Sequence, residues 1–153
     1  MIDVGAKERT ERVAIATARV KMKPATAKLA ASGQAEKGNV LEAARVAAIM
    51  ATKRTPDIIP LCHPVALTGV AVDEVARGSA VDVRVEVRTV DRTGVEMEAL
   101  MGATAAALCV YDMLKRNDKG MVIEQVQLEH KSGGRTGDFH RGPKPARGKK
   151  QAK

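Results

Sequence analysis

Apolar and polar residues along this chain follow two periods, and the changes of period mark its elements. From Val81 to Val90 the period is two. Val81, Val83, Val85 and Val87 fall on one side, and Asp82, Arg84, Glu86 and Arg88 on the other. That is the pattern of an antiparallel strand with one buried and one half-exposed face. Val13, Ile15 and Thr17 alternate in the same way within Arg12–Met22, a strand rich in small and β-branched residues. Val70–Val75 and Met121–His130 read as two more strands. Elsewhere the period lengthens to that of a helix. Pro24 opens a short helix to Ala31, and Ser32-Gly33 stops it. Asn39, followed by Glu42, matches a capping box for a helix running to about Lys53. The longest such stretch is Gly94–Arg116, about six turns long and dominated by the good helix formers Ala, Leu and Met.

That long helix has two unusual faces. Leu100, Ala103, Ala107, Val110 and Leu114 make an ordinary core stripe. The opposite face holds Glu98, Met101, Ala105, Cys109 and Asp112, where a surface helix would carry Lys, Glu and Gln. The pattern predicts a helix covered on both sides, with two acids trapped on the second. Fourteen residues separate Glu98 from Asp112, which is ~21 Å along a helix. Both can act on one small molecule only if two copies of the helix meet, antiparallel about a two-fold axis. A dimer with the site across its interface follows.

The order strand, helix, helix, strand, strand, helix, strand fits two split β-α-β units. This is an α+β ferredoxin-like sandwich, a four-stranded antiparallel sheet with helices packed on one face. Prolines at 56, 60 and 64 exclude a regular helix or central strand from Thr55–Val65. They also hold the residue before each, His63 among them, in an extended backbone.

Composition narrows the class. The 153 residues contain no Trp, one Tyr and one Phe, so the core is aliphatic. The same scarcity argues against an RNA-binding ferredoxin-like module, which stacks bases on aromatic side chains. Of the net charge of +8, six positive charges lie in residues 141–153, leaving +2 for residues 1–140. A single ferredoxin-like domain over 1–140 and a disordered basic tail over 141–153 are therefore expected. Two cysteines make no disulfide framework, the N-terminus lacks a signal-peptide core, and no apolar run approaches 18 residues. These features predict a soluble protein of a reducing compartment, the cytoplasm, with no membrane partner.

Several residues could carry chemistry. Asp112 has Ala105, Leu108 and Cys109 as helix neighbours, and an acid there needs a partner. Lys115 and Arg116, one turn on, can supply it. The pair is either a structural ion pair or a general acid/base couple. Glu96 and Glu98 fit a first helical turn on dipole grounds alone. His63 is either a packing residue or a group for binding and proton transfer near neutral pH. Cys62, His63 and Cys109 lack metal-ligand spacing. Lys37 before Gly38, and Lys131 near Gly133, Gly134 and Arg135, make basic glycine loops that suit an anion without forming a P-loop. Together these point to a small anionic, phosphorylated substrate.

Four stretches carry a resemblance. They are Lys-Arg-Thr-Pro-Asp-Ile-Ile-Pro-Leu-Cys-His-Pro (53–64), Thr-Gly-Val-Glu-Met-Glu-Ala-Leu (93–100), Tyr-Asp-Met-Leu-Lys (111–115) and Lys-Ser-Gly-Gly-Arg-Thr-Gly-Asp-Phe (131–139). In this order they closely resemble the molybdenum cofactor biosynthesis protein C family, the cyclic pyranopterin monophosphate synthases, over residues 2–139. The resemblance implies a ferredoxin-like lyase that converts a cyclic dihydro-GTP, made by a radical SAM GTP cyclase, to cyclic pyranopterin monophosphate with loss of pyrophosphate. It implies no redox cofactor and no resident metal, and leaves open Mg²⁺ with the triphosphate. It also implies a homohexamer, a trimer of dimers, with the site at the dimer interface. By motif, Asp112 and Lys115 are the catalytic pair. Leu61, Cys62, His63, Glu96, Met97 and Glu98 line the substrate, and Lys37 and Lys131 serve the triphosphate or proton transfers.

Overall fold

A computed structural model describes residues 1–135 and 137–142. Strand β1 (Thr10–Lys21) is followed by helices α1 (Pro24–Ser32), α2 (Val40–Lys53) and α3 (Thr55–Ile58). The hairpin of β2 (Leu67–Arg77) and β3 (Ala80–Asp91) leads into α4 (Glu96–Leu114), then β4 (Val122–Ser132) and the short β5 (Phe139–His140). The sheet order is β2-β3-β1-β4-β5, antiparallel throughout. Its first four strands have the expected ferredoxin-like arrangement.

The differences from the sequence reading have local causes. A fifth strand extends the sheet; two residues are too few to show a period. Arg141, assigned above to the tail, is held at its end, donating from its backbone N–H to Glu129 O and from Nε to Leu128 O. The rest of the predicted tail, from residue 143, lies outside the described residues. One turn of helix, α3, forms in the proline-rich segment because Pro56 sits in its first turn, where a missing N–H costs nothing. Asn39 caps α2 as expected, accepting from Glu42 N, while the Glu42 side chain pairs with Arg45.

The core is built from small residues. Ala14, Ala16, Ala18 and Val20 of β1 pair in register with Val87, Val85, Val83 and Val81 of β3, and all eight are buried under the helices. Val13, Ile15 and Thr17, which first suggested the strand, lie on its other face and are half-buried. Alanine on the inner face lets α4 approach closely. At Gly102 an added Cβ would stand 2.9 Å from Thr52 Cγ2 and 3.0 Å from Val85 Cγ1. Gly102→Val is expected to lower stability by about 1–3 kcal/mol through overpacking, read as an earlier midpoint in urea unfolding.

Helix α4, Glu96–Leu114, has 19 residues. It is long and apolar enough, by length and composition alone, to cross a membrane. Half of that stretch is buried in the fold, on the sheet and against α2, as a core helix is. Beyond its C-terminal end the buried Asp118 carboxylate accepts from Lys23 N at 2.8 Å and Gly120 N at 3.1 Å. This ties the loop after α4 to the start of α1 and holds the Asp118 pKa below its ordinary value.

Candidate active site

The residues singled out from the sequence gather at the two ends of α4. At the N-terminal end the proline-rich segment folds over the first turn. Leu61, Cys62, His63, Glu96, Met97 and Glu98 there border a cavity of about 380 Å³. Glu98 is only 2 % exposed. Its Oε1 accepts from the Cys62 thiol at 3.4 Å, and its Oε2 is buried without a hydrogen-bond partner. Burial pushes the Glu98 pKa up. It pushes the Cys62 thiol up too, to about 11, with the Glu98 charge adding to the effect. Lys131 reaches Glu96 from β4 at 3.4 Å.

A second cavity, of about 400 Å³, adjoins the first and shares Lys7, Thr93, Gly94 and Glu96 with it. Its lining carries five basic residues, Lys7, Arg12, Arg92, Lys131 and Arg135, against two acids, Glu8 and Glu96. Arg12 Nε and Thr10 Oγ1, both on this wall, are buried without partners. Gly133 and Gly134 bring the loop after β4 against β1 here. Both have positive φ, 87° and 83°, and a Cβ would fall 2.2 Å from Glu11 O at the first and 2.0 Å from Arg12 Nη1 at the second. Only glycine permits that approach. Among the described residues, buried side-chain atoms without a partner number five, and three of them, Thr10 Oγ1, Arg12 Nε and Glu98 Oε2, border these two cavities. Stranded buried polar groups are costly, so their concentration here makes these cavities the candidate site for a polar ligand.

The C-terminal end of α4 carries the other group. Asp112 accepts from Lys115 Nζ on Oδ1 at 2.7 Å and from Lys37 Nζ on Oδ2 at 2.6 Å. Lys37 also donates to the Asp112 carbonyl at 3.2 Å. It is aimed there by the turn that Gly38, at φ 98°, closes onto Ala35 O. Arg116, the other partner considered above, turns instead to Glu36. Lys115 first and Lys37 second hold the Asp112 pKa down, to about 2, and Asp112 in turn raises that of Lys115. Near neutral pH the trio is therefore one carboxylate between two cations. The carboxylate fixes where both ammonium groups lie.

Within one copy the chain covers only one end of this face of α4. The segment Leu61–His63 covers α4 at Glu98, whereas the Asp112 side chain is 53 % exposed and Leu108, one turn before it, is 56 % exposed. The two ends stay ~21 Å apart by helix rise, so no single copy joins them. Lys37 and Lys131 accordingly serve different ends. Cys109 stands near Asp112, well away from Cys62, and among the described residues no three His, Cys, Asp or Glu groups come together as metal ligands. Sequence reasoning missed Lys7, Arg12 and Arg92. They come from the N-terminal segment, β1 and the turn before α4, and no spacing links them. The unpartnered Arg12 is visible only once β1 and the glycine loop are in place.

Comparison with known proteins gives the family of the chain. The sequence model described as the MoaC family matches residues 1–134. The chain is 51 % identical over 149 residues to a protein of Thermomicrobium roseum, covering 96 % of this chain and 90 % of that one. It is 54 % identical over 142 residues to one of Roseiflexus sp., with 91 % and 89 % covered. A Herpetosiphon aurantiacus protein is 53 % identical over 141 residues, with 91 % and 86 % covered. All three relatives bear the name cyclic pyranopterin monophosphate synthase. With the match running through β4 and every site residue named above except Arg135, the chain belongs to the MoaC family.

Proposed function

We propose that this chain is a cyclic pyranopterin monophosphate synthase of molybdenum cofactor biosynthesis, a lyase that converts cyclic dihydro-GTP to cyclic pyranopterin monophosphate and releases pyrophosphate. The observation that carries this reading is the pairing of the two cavities. A slot walled by Leu61, Cys62, His63, Met97 and Glu98 opens into one lined by five cations. A nucleotide has the same two parts, a polar ring system and a polyphosphate. Lys7, Arg12, Arg92, Lys131 and Arg135 bind the triphosphate and stabilise the departing pyrophosphate. His63, Glu96 and Glu98 face the ring system, whose opening and reclosure need proton transfers.

Asp112, Lys115 and Lys37 complete the site from a second copy of the chain. Two antiparallel copies of α4 bring the C-terminal end of one to the N-terminal end of the other. The exposed Leu108 of α4, with Val46 and Met50 of α2, gives the helical layer an apolar outer surface for that contact. The working assembly is a homohexamer, a trimer of such dimers, in the cytoplasm, supplied by the radical SAM GTP cyclase. No resident cofactor is proposed; Mg²⁺ arrives, if at all, with the triphosphate as part of the substrate. A nucleic-acid role is disfavoured because β1–β4 carry no Phe, Tyr or Trp on which bases could stack.

The test is direct. Purified protein given cyclic dihydro-GTP should form cyclic pyranopterin monophosphate and pyrophosphate in equal amounts, followed by mass spectrometry and a phosphate-release assay. No product from the folded assembly rejects the reading.

A further inference from the structure

The Cys62–Glu98 contact fixes one of the two carboxyl oxygens of Glu98. Cys62 borders the cavity, yet its sulfur is directed at a carboxyl oxygen. A carboxyl group free to turn about its last bond presents either oxygen to a substrate. One whose Oε1 is held presents a defined Oε2. In this protein that second oxygen is the buried atom without a partner. We propose that Cys62 is a positioning residue: its thiol holds Oε1 of Glu98, so that Oε2 is the atom that meets the substrate and exchanges a proton with it. The proposal rests on the reading of this cavity as the site for cyclic dihydro-GTP.

The surroundings suit the role. The titratable and charged groups around Glu98 are Glu96 on its own helix, Lys131 beside Glu96, and Lys7 and His63 on the cavity wall. Burial favours the proton-bearing carboxyl, and the thiol stays protonated and able to donate. Two hydrogen bonds act against burial, first that of its own backbone N–H and then that of the thiol, because both stabilise the carboxylate and draw the Glu98 pKa back down. Two opposite consequences follow. With Glu98 as proton donor, activity falls as pH rises through its raised pKa. Removing the thiol raises that pKa further, so the alkaline limb moves to higher pH. A stronger donor moves it lower.

Cys62→Ala and Cys62→Ser separate this role from simple contact with substrate. Cys62→Ala should lower kcat about tenfold while KM stays within about twofold, and should move the alkaline limb of kcat upward. Cys62→Ser keeps a donor, so kcat should stay within about threefold and the limb should move downward. A second readout needs no substrate. The protonated carboxyl stretch, assigned to Glu98 by its loss in Glu98→Gln, is titrated by infrared spectroscopy in the free protein. Its midpoint should rise in Cys62→Ala and fall in Cys62→Ser. Unchanged midpoints in both folded variants overturn the proposal, as does a rise in KM with kcat intact. If the wild type fails to turn over cyclic dihydro-GTP, the functional reading fails, and the infrared titration still decides the Cys62–Glu98 pairing.

Discussion

Asparagine in place of Asp112 is expected to lower kcat by about 10²–10⁴-fold and to leave the unfolding midpoint and the assembly unchanged. The two halves of this expectation have separate grounds. Asp112 is an exposed acid between two exposed lysines. Surface ion pairs of this kind contribute little to stability because water already solvates each charge. Two cations from different elements, Lys37 from a tight turn and Lys115 from α4, nevertheless converge on its two oxygens. Asparagine keeps the shape and one acceptor but loses the charge that holds both ammonium groups. Without it Lys37 and Lys115 are free to rotate away, and the pKa of Lys115, raised by this carboxylate, relaxes toward its ordinary value. Steady-state kinetics on the variant, with urea unfolding and size-exclusion chromatography beside it, make the check. Full activity, or an unfolded chain, would return the trio to a structural role.

Mixing two inactive proteins should restore activity. Glu98→Ala disables the end of α4 under the proline-rich segment, and Asp112→Ala disables the exposed end. If each site takes Glu98 from one copy and Asp112 from its two-fold mate, a mixed dimer has one site with both substitutions and one with neither. Random reassortment makes half the dimers mixed, so the mixture should reach about a quarter of wild-type activity. Exchange is achieved by mild denaturation and refolding, and mixed dimers are isolated through two affinity tags. Inactive mixed dimers would sink the shared site, because two groups ~21 Å apart on one helix cannot reach one small molecule.

The strands and helices were legible because inward side chains repeat. The valines at 81, 83, 85 and 87 alternate with charges, and the cap at Asn39 and the stop at Gly33 stand where helices begin and end. The Asp112–Lys115 pair was legible for a related reason: i,i+3 neighbours on a helix are neighbours in space. Elements set by single contacts were not legible. Strand β5 exists because two residues find the edge of β4, and α3 because one proline falls where a helix tolerates it.

Charge placement shows the division most clearly. From sequence alone Glu98 and Asp112 are two acids on one face of one helix. In the fold Glu98 is buried and its pKa raised, while Asp112 is exposed and its pKa held near 2. The helix is the same at both; what differs is the segment that happens to cover it. Periodicity is a property of a chain against a generic inside and outside, so the sequence by itself determined the repeating elements, their order and the four strands that they set side by side. Which cations surround an anion, which oxygen is left without a partner, and which acid has its pKa raised depend on contacts between residues far apart in the chain. Lys37 and Asp112 are 75 residues apart, and Cys62 and Glu98 are 36 apart. Those properties the tertiary structure alone decided, because desolvation and Coulomb attraction depend on distance in space and not on distance along the chain.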